Sequence, residues 1–360
     1  MKRFLQAALG LLVSGGALWF TLRGRDLGAI WEAIRAADYF WLIPYLAILT
    51  AIHLARTYRW GILLEPVAKV SFGKLNAASA VGWMALVLLP FRLGEFARPY
   101  LIAERPRLRV SAALSSVVVE RVADGLFTAG LLVVTLLAVP EGTPGLHFLR
   151  AGGVAVFLIF AALLAFLVFA NRHRARAVRL THRLVDPISE KLADRVSGMM
   201  DAFIHGLRLV PSRRKIALFF FLTGAYWALN GVGMLVLAIG FDIHLSALAA
   251  FTVLGVLVVG VMIPAGPGMV GTFQAATMLG LALFLPKQVV DTRGAAYANV
   301  LWAVQLAQQS AFGLVFLFSR HIRIANIVAA PEEVGEELSR EEEQYVAEPG
   351  ADAAGGEPPR

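Results

Sequence analysis

Long apolar stretches follow one another through almost the whole chain, and they restrict its possible folds more than any other feature. An α-helix needs about 20 apolar residues to cross the hydrocarbon core of a bilayer. Residues 148–170 contain one charged side chain, and similar stretches recur between residues 4 and 318. Hydrophobic residues make up 58% of the 360 positions, which is more apolar surface than a soluble domain can bury. We therefore predict an all-α, polytopic integral membrane protein.

The apolar stretches predict about eight hydrophobic segments. The first could be mistaken for a signal peptide, but Trp19 and Phe20 stand where a cleavage site needs small residues, so we interpret it as a retained helix. The third is short for a full span. The segments are 4–22, 40–60, 75–89, 114–139, 148–170, 216–239, 245–285 with an internal break, and 295–318.

Basic residues in the connections predict the side of the membrane that each connection faces, because Lys and Arg are enriched in cytoplasmic loops. The N-terminus, residues 105–109, the basic amphipathic segment 171–215 and the pair Arg320 and Arg323 are predicted to be cytoplasmic. Residues 140–147 and 240–244 carry few basic side chains and are predicted to lie outside. We therefore expect a multi-pass protein of the cytoplasmic membrane with both termini in the cytoplasm.

This orientation requires two segments to enter and leave the membrane on the same side. Residues 75–104 would form a re-entrant helical hairpin from the inside, and residues 245–285 would form one from the outside, with tips at 90–94 and 264–271. Each half would contain a span, a hairpin and a span, which is an inverted repeat. Broken hydrophobic segments at corresponding positions of two halves indicate a central binding site in a transporter. The alternative is a set of plain spans with loops at both motifs.

The charge is divided between a basic membrane domain, residues 1–330, and an acidic C-terminal tail, residues 331–360. The net charge is +8, and the tail holds ten acidic residues and two arginines, so the membrane domain carries +16. The tail cannot bury enough apolar surface to fold and is predicted to be disordered in the cytoplasm. Positive charge beside a membrane favours anionic lipids as partners over nucleic acid. A homo-oligomer is compatible with the sequence, which does not determine the oligomeric state.

The first motif is a candidate headgroup site. Arg92, Glu95 and Arg98 follow Pro90 at spacing i, i+3 and i+6, so they share one face of a short helix, with Gly94 at the predicted tip. Arginine suits bidentate binding of phosphate or carboxylate. The alternative for Arg98 is a side chain that extends to the membrane interface while Glu95 neutralises it.

Glu120, Arg121 and Asp124 lie in the middle of an otherwise apolar segment. On insertion scales each charge at a helix centre costs about 2.5–3.5 kcal/mol, so the three cost roughly 8–10 kcal/mol. The apolar residues of the segment offset only part of this, so the helix should face a polar protein interior. Ionisable groups at such depth are functional by default, and a structural ion-pair cluster is the alternative.

The second motif, residues 264–271, interrupts the apolar segment 245–285. Pro267 suits a first helical turn, while Gly268 and Gly271 allow close approach and present backbone N–H groups to an anion. A plain turn needs the same residue types. Gln274 follows, and we expect it either to reach a polar ligand or to cap a neighbour.

The remaining polar groups in the apolar segments have structural interpretations. We expect His53 to be a hydrogen-bonded packing residue. Arg56 and Arg59 are predicted to extend to the membrane interface. Amide side chains more often hold membrane helices together than bind substrate; they are Asn230, Asn299, Gln305, Gln308 and Gln309.

Sequence signatures of enzymes are absent. No G-x-S-x-G, H-E-x-x-H, P-loop or protein-kinase set occurs, and no histidine group suggests a metal, so no cofactor is expected. A lipid transporter is the favoured function. The alternatives are an intramembrane transferase with Glu120 or Asp124 as base, and a scaffold that recruits partners through residues 171–215 and the tail.

Three motifs resemble the flippase-like family, also called the lysylphosphatidylglycerol synthase transmembrane region. They are Arg92-Leu93-Gly94-Glu95 with Arg98, Val119-Glu120-Arg121-Val122-Ala123-Asp124, and Pro264-x-x-Pro267-Gly268-x-x-Gly271. The resemblance covers nearly all of residues 1–325. It implies a polytopic protein that moves an anionic or modified phospholipid, or a polyprenyl-linked carrier, between leaflets.

The chain departs from this family at two points. Gln274 stands where the family often has an acid, which removes support for a proton role there. The soluble aminoacyl-transferase domain of lysylphosphatidylglycerol synthases is missing, so we expect that the chain does not make the aminoacyl lipid.

We therefore expect a lipid translocase with a polar central cavity. Arg92 and Arg98, with the N–H groups at 268–271, would hold the anionic headgroup. The charge network that opens or closes the cavity would consist of Glu95, Glu120, Arg121 and Asp124.

Overall fold

The protein is a bundle of helices in the computed structural model. Described are residues 12–19, 21–89, 94–103, 108, 110–187, 189–190, 196–197, 200–201, 204, 211–263, 266–319, 329–330, 333–337 and 340, and none of these lies in a β-strand. The main helices are α1 (Leu27–Ala36), α2 (Leu42–Leu64), α3 (Phe72–Leu88), α4 (Ala97–Ala103), α5 (Val110–Leu137), α6 (Leu146–Arg172), α7 (Arg174–Val185), α8 (Arg213–Gly240), α9 (Ala247–Gly260), α10 (Thr272–Leu281) and α11 (Ala295–Ser319).

Local sequence signals account for several helix ends. The Asp26 carboxylate accepts a hydrogen bond from the Ala29 N–H (3.1 Å) and caps α1. The Ser246 hydroxyl oxygen does the same for α9 by accepting from the Ala249 N–H (3.1 Å). Such caps satisfy backbone donors that the first helical turn leaves unpaired.

Within the described residues, four helical stretches are long and apolar enough to cross a membrane: Tyr39–Leu64, Leu146–Arg172, Arg213–Ile239 and Lys287–Phe318. Helices α3 and α9 are apolar but shorter. Helix α5 has 28 residues but carries three charges in its middle. The first predicted segment lies partly outside the described residues. The all-α, multi-pass architecture is confirmed, whereas the count of about eight segments stays a prediction.

Helices α3 and α4 fold back on each other as an antiparallel pair. Gly82 lies against the Arg98 side chain, and Gly94 lies against the backbone of Ala85 and Leu86. The sequence separation between contacting residues falls toward the turn, from 82 and 98 to 86 and 94. The two helices therefore run antiparallel. A Cβ atom at Gly94 would lie 2.1 Å from the Leu86 nitrogen, so this close approach requires glycine.

Helices α9 and α10 form a second antiparallel pair. A Cβ atom at Gly260 would lie 2.4 Å from the Ala276 Cβ, and one at Gly280 would lie 2.9 Å from the Val253 Cα. Small residues at such crossings let helix backbones approach closely. The second sequence motif lies in the break between the two helices.

Each antiparallel pair begins and ends at one end of the bundle. For the second pair, Arg293 follows α10 and donates a hydrogen bond to the backbone oxygen of Asp242, which precedes α9 (3.0 Å). For the first pair, one apolar cluster joins the end of α2, the start of α3, the end of α4 and the start of α5. Its members include Trp60, Leu64, Leu75, Ile102, Leu108 and Ala112.

The two halves of the chain make matching sets of helix contacts. Helix α2 packs on its counterpart α8 in antiparallel order, with Tyr45 against Gly233 and Arg59 against Thr223. Helix α3 packs on α11, and its counterpart α9 packs on α5. Exchanging α2 with α8, α3 with α9 and α5 with α11 leaves these three contacts unchanged.

Part of the C-terminal end is described. Residues 333–337 are helical, and buried Val334 packs against Val110 of α5. These residues fall within the segment that the sequence predicts to be a disordered tail, whereas residues 341–360 lie outside the described part. The domain boundary at residue 330 stays a prediction.

Candidate functional site

A cavity of about 500 Å³ lies between the two antiparallel helix pairs. This volume falls within the range of about 300–1,000 Å³ that is typical of small-molecule sites. Apolar side chains form much of its wall. The polar and aromatic lining residues of the first half are Tyr45, Arg56, Trp83, Glu95, Arg121, Asp124, Thr128 and Phe160. Those of the second half are Tyr226, Trp227, Asn230, Phe273, Trp302, Gln305, Gln308 and Gln309, and Gly268 and Met269 also line the cavity.

Beside the cavity, Arg59, Arg98, Glu120 and Asp124 form a buried group that we call the ion network. Arg59 Nη2 donates to Glu120 Oε1 (3.0 Å) and to Asp124 Oδ2 (2.8 Å). Arg98 Nη2 donates to the other Glu120 oxygen, Oε2 (3.0 Å). All four side chains are at most 9% exposed. Both carboxylates are therefore ion-paired away from water.

The ion network joins α2, α4 and α5, and two further hydrogen bonds extend it to α8. Arg59 Nη1 donates to Thr223 Oγ1 (3.1 Å), and Trp227 Nε1 donates to Asp124 Oδ1 (3.3 Å). Removing one partner from a buried ion pair typically costs about 3–5 kcal/mol, because it leaves the other charge uncompensated. The network therefore fits the structural interpretation that the sequence left open.

Arg121 lies between the ion network and the cavity. Its Nη2 atom is 3.2 Å from Glu120 Oε1 and 3.8 Å from Asp124 Oδ2. Its guanidinium carbon is 4.8 Å from the ring centre of Trp83, and its side chain is 24% exposed. Arg59 already binds both carboxylates. Arg121 therefore has no acid of this pair to itself.

Arg56 lines the cavity without a carboxylate partner in the described part of the chain. The residue is 6% exposed, and its guanidinium carbon stacks 3.7 Å from the ring centre of Trp83. Its Nε atom has no hydrogen-bond partner there. Burying an unpaired charge is costly. The charged residues described around this wall are the cations Arg56, Arg59, Arg98 and Arg121 and the acids Glu95, Glu120 and Asp124.

The prediction that Arg56 and Arg59 extend to the membrane interface is wrong. Both are buried, because α2 turns this face toward Trp83 of α3 at Arg56 and toward α5 and α8 at Arg59 rather than toward lipid. The sequence contains a signal for this arrangement. Two carboxylates one helical turn apart in an apolar segment need cations, and the two arginines share one face of a neighbouring helix.

The second motif forms part of the cavity wall through its backbone. Gly268 and Met269 have positive φ angles of 71° and 53°, and Trp302 Nε1 donates to the Gly268 oxygen (2.7 Å). Gly271 instead packs against the helix at residues 12–19. Its N–H donates to Gln274 Oε1 (2.8 Å), so Gln274 caps its own helix and occupies this backbone donor.

The amide side chains differ in whether they have partners. Gln305 Nε2 donates to Tyr45 Oη (3.0 Å), which joins α11 to α2. Gln308 is 9% exposed, and no described group accepts a hydrogen bond from its Nε2. His53 Nε2 lies 2.8 Å from Asn76 Oδ1, which confirms the prediction of a hydrogen-bonded packing histidine.

The structure brings only some of the predicted site residues to the cavity. Those on its wall are Glu95, Arg121, Asp124 and Gly268. Those in the ion network beside the wall are Arg98 and Glu120, while Gly94, Pro267, Gly271 and Gln274 shape or cap the helix pairs. Arg92 lies outside the described residues. Sequence reasoning did not assign Arg56 and Gln308 to the site.

Comparison with known proteins identifies the region to which this site belongs. Residues 7–313 match the family described as the lysylphosphatidylglycerol synthase TM region. A curated relative, the glycosyltransferase AglD of Haloferax volcanii, is 26% identical over 313 residues. The alignment covers 78% of this chain and 48% of that protein, so the chain spans about half the length of this relative.

Proposed function

The chain belongs to the lysylphosphatidylglycerol synthase TM region family, and we propose that it is a lipid translocase of the cytoplasmic membrane. It would move the headgroup of an anionic or modified phospholipid, or of a polyprenyl-linked lipid, through the central cavity. The observation that carries this proposal is that both broken helix pairs contribute to the wall of one cavity. Discontinuous helices around a central polar site are typical of secondary transporters.

We also propose that the pairs α3–α4 and α9–α10 are re-entrant hairpins of an inverted repeat, entering from opposite sides. The return of each pair to the end where it starts supports this placement, and so do the matching contact sets of the two halves. Irregular backbone is tolerated at membrane depth where it lines a cavity. The basic residues of 171–215 support a cytoplasmic location for both termini.

Arg56 and Arg121 would hold the anionic group of the lipid. Both line the cavity, and Arg56 has no carboxylate partner among the described residues, so an anion would compensate its charge. Arginine provides a planar set of donors that matches phosphate. Arg98 donates to Glu120 beside the wall, so we assign it to the ion network that holds α4 against α5. Arg92 stays a candidate second contact.

Leaflet translocation in proteoliposomes tests the proposal directly. The purified chain is reconstituted with fluorescent phosphatidylglycerol or phosphatidylcholine, and a membrane-impermeant quencher reports how much label reaches the outer leaflet. We expect the anionic lipid to move faster than in protein-free vesicles. Arg56→Gln should slow it about tenfold or more, because a charge-assisted hydrogen bond contributes about 1.5–3 kcal/mol.

The matched control is Arg35→Gln, which removes an exposed arginine on α1 and should leave translocation unchanged. Equal translocation by Arg56→Gln and the unsubstituted chain would contradict the assigned site. No movement of either lipid above the protein-free rate would contradict the translocase itself.

A transferase that acts on a lipid-linked substrate is the second candidate, because the relative AglD is named a glycosyltransferase. Of the two carboxylates first considered as a base, Asp124 is the one on the cavity wall. Mass spectrometry of lipids from membranes with and without the chain separates the two functions. A chemically changed lipid favours the transferase, and an unchanged lipid profile with leaflet translocation favours the translocase.

A further inference from the structure

The cavity wall is chemically divided between the two halves of the chain. We call Arg56, Glu95, Arg121 and Asp124, all from the first half, the charged pole. We call Asn230, Gln305, Gln308 and Gln309, all from the second half, the amide pole. No Asp, Glu, Lys or Arg of the described second half lines the cavity. A ligand that contacts both poles therefore meets charge at one and neutral amides at the other.

The register between α2 and α11 gives the separation of the poles. Gln305 bonds to Tyr45, and Phe312 packs edge-on to His53 with ring centres 5.1 Å apart. Residue numbers rise together, so the helices run in the same direction and Gln308 lies near the level of Leu49. Arg56 is seven residues further along α2, which is about 10 Å at 1.5 Å per residue.

Each pole has a buried donor that lacks a partner among the described residues. At the charged pole such atoms are Arg56 Nε and Arg121 Nε, and at the amide pole it is Gln308 Nε2. Arg56 and Gln308 are each more than nine-tenths buried. Buried polar groups in proteins almost always have a hydrogen-bond partner. Arg56 and Gln308 also line one cavity, so a ligand that contacts both side chains meets a cation at one end and a neutral amide at the other.

We propose that the headgroup of the transported lipid carries one phosphodiester, bound at the charged pole, and an uncharged hydroxyl-bearing group, bound at the amide pole. This inference rests on the translocase function proposed above. Among the described residues the cations at the wall and in the ion network outnumber the acids, and Arg56 has no carboxylate partner, so the charged pole favours an anion.

The amide pole sets the chemistry of the second group. Amides offer both donors and acceptors, as hydroxyl groups require. An ammonium group there would meet no carboxylate of the described second half, and a carboxylate would meet no cation of it. Polyol and sugar headgroups therefore fit, whereas aminoacyl, serine or choline headgroups would leave a charge uncompensated.

Binding of short-chain lipids to the full chain in detergent tests this inference. The probes are dioctanoyl phosphatidylinositol, phosphatidylglycerol, phosphatidylserine and phosphatidylcholine, and the readout is tryptophan fluorescence, because Trp83 and Trp302 line the cavity. We expect the inositol and glycerol lipids to bind at least tenfold more tightly than the other two. Phosphatidylserine is the decisive comparison. It has the same net charge as phosphatidylinositol and phosphatidylglycerol, but the group beyond its phosphodiester is ionised rather than uncharged.

Two substitutions separate the poles. Gln308→Leu should remove most of the preference for phosphatidylinositol over phosphatidylserine, whereas Arg56→Gln should weaken both anionic lipids by a similar factor. The matched controls are Gln288→Leu and Arg35→Gln, which change exposed residues. They should alter neither the lipid preference nor the affinities. Circular dichroism establishes that each variant is folded, and the lipid panel on the unsubstituted chain tests the inference independently of any variant.

Equal affinity for phosphatidylserine or phosphatidylcholine would overturn the inference, and so would an unchanged preference in folded Gln308→Leu. Translocation of the same lipids is measured separately. Selective binding without translocation contradicts the translocase and supports the headgroup class. Translocation without any headgroup preference supports the translocase and overturns the headgroup class.

Discussion

Replacing Glu120 by Gln tests whether the ion network is structural. Glu120 is completely buried and accepts hydrogen bonds from Arg59 (3.0 Å), Arg98 (3.0 Å) and Arg121 (3.2 Å). The neutral amide leaves Arg98 without an acid partner among the described residues and presents a donor where a guanidinium also donates. Breaking a buried pair in this way should lower the free energy of unfolding by about 3–5 kcal/mol.

A double-mutant cycle in detergent measures this coupling. Arg98→Met removes the charge that Glu120→Gln would strand, so the double variant should be more stable than the sum of the single effects implies. For residues in contact the difference is typically about 0.5–3 kcal/mol. Denaturant unfolding followed by circular dichroism supplies the free energies.

The control is Glu141→Gln, the same change in an exposed ion pair with Arg150, which should scarcely alter stability because solvent screens such pairs. If Glu120→Gln retains full stability while translocation is lost, the structural interpretation is refuted and Glu120 acts in translocation. Strict additivity in the cycle would equally refute the coupling between Glu120 and Arg98.

Three further substitutions test other parts of the structure. Gly94→Ala places a Cβ atom 2.1 Å from the Leu86 nitrogen and should lower the free energy of unfolding by about 1–3 kcal/mol. Gly152→Ala, whose new Cβ would meet no atom of the described residues within 4 Å, should leave it unchanged, and equal stability of the two variants would contradict the close pairing of α3 and α4. Trp302→Phe removes the hydrogen bond to the Gly268 oxygen (2.7 Å) and should increase hydrogen–deuterium exchange in residues 266–271 without changing the exchange of α5. Unchanged exchange in residues 266–271 would show that this bond does not stabilise that segment. Gln308→Leu removes a buried donor without a described partner, whose desolvation costs about 1–3 kcal/mol, so it should raise the melting temperature of the lipid-free protein. A lower melting temperature would indicate that this amide has a partner in the absence of lipid.

The sequence by itself determined the class of fold and the positions of its breaks. Apolar segments of spanning length leave few alternatives to helices, since a bilayer offers no hydrogen bonds to the backbone. The charges at Glu120 and Asp124 required a polar interior for α5, and the structure places them there. The motif at Gly268 was expected near a central site, and its backbone lines the cavity. These conclusions depend on local composition, which a single sequence displays.

Only the tertiary structure decided which charges pair and which face the cavity. Arg56 and Arg59 are one turn apart on α2, and nothing local to them distinguishes a stacked, unpaired cation from one that binds two carboxylates. The difference arises because α5 and α8 approach one of them and Trp83 approaches the other. Gln308 acquired its place in the same way, through the packing of α11 on α3. Such pairings are set by the relative positions of helices distant in sequence, and hydrophobic periodicity carries no information about them.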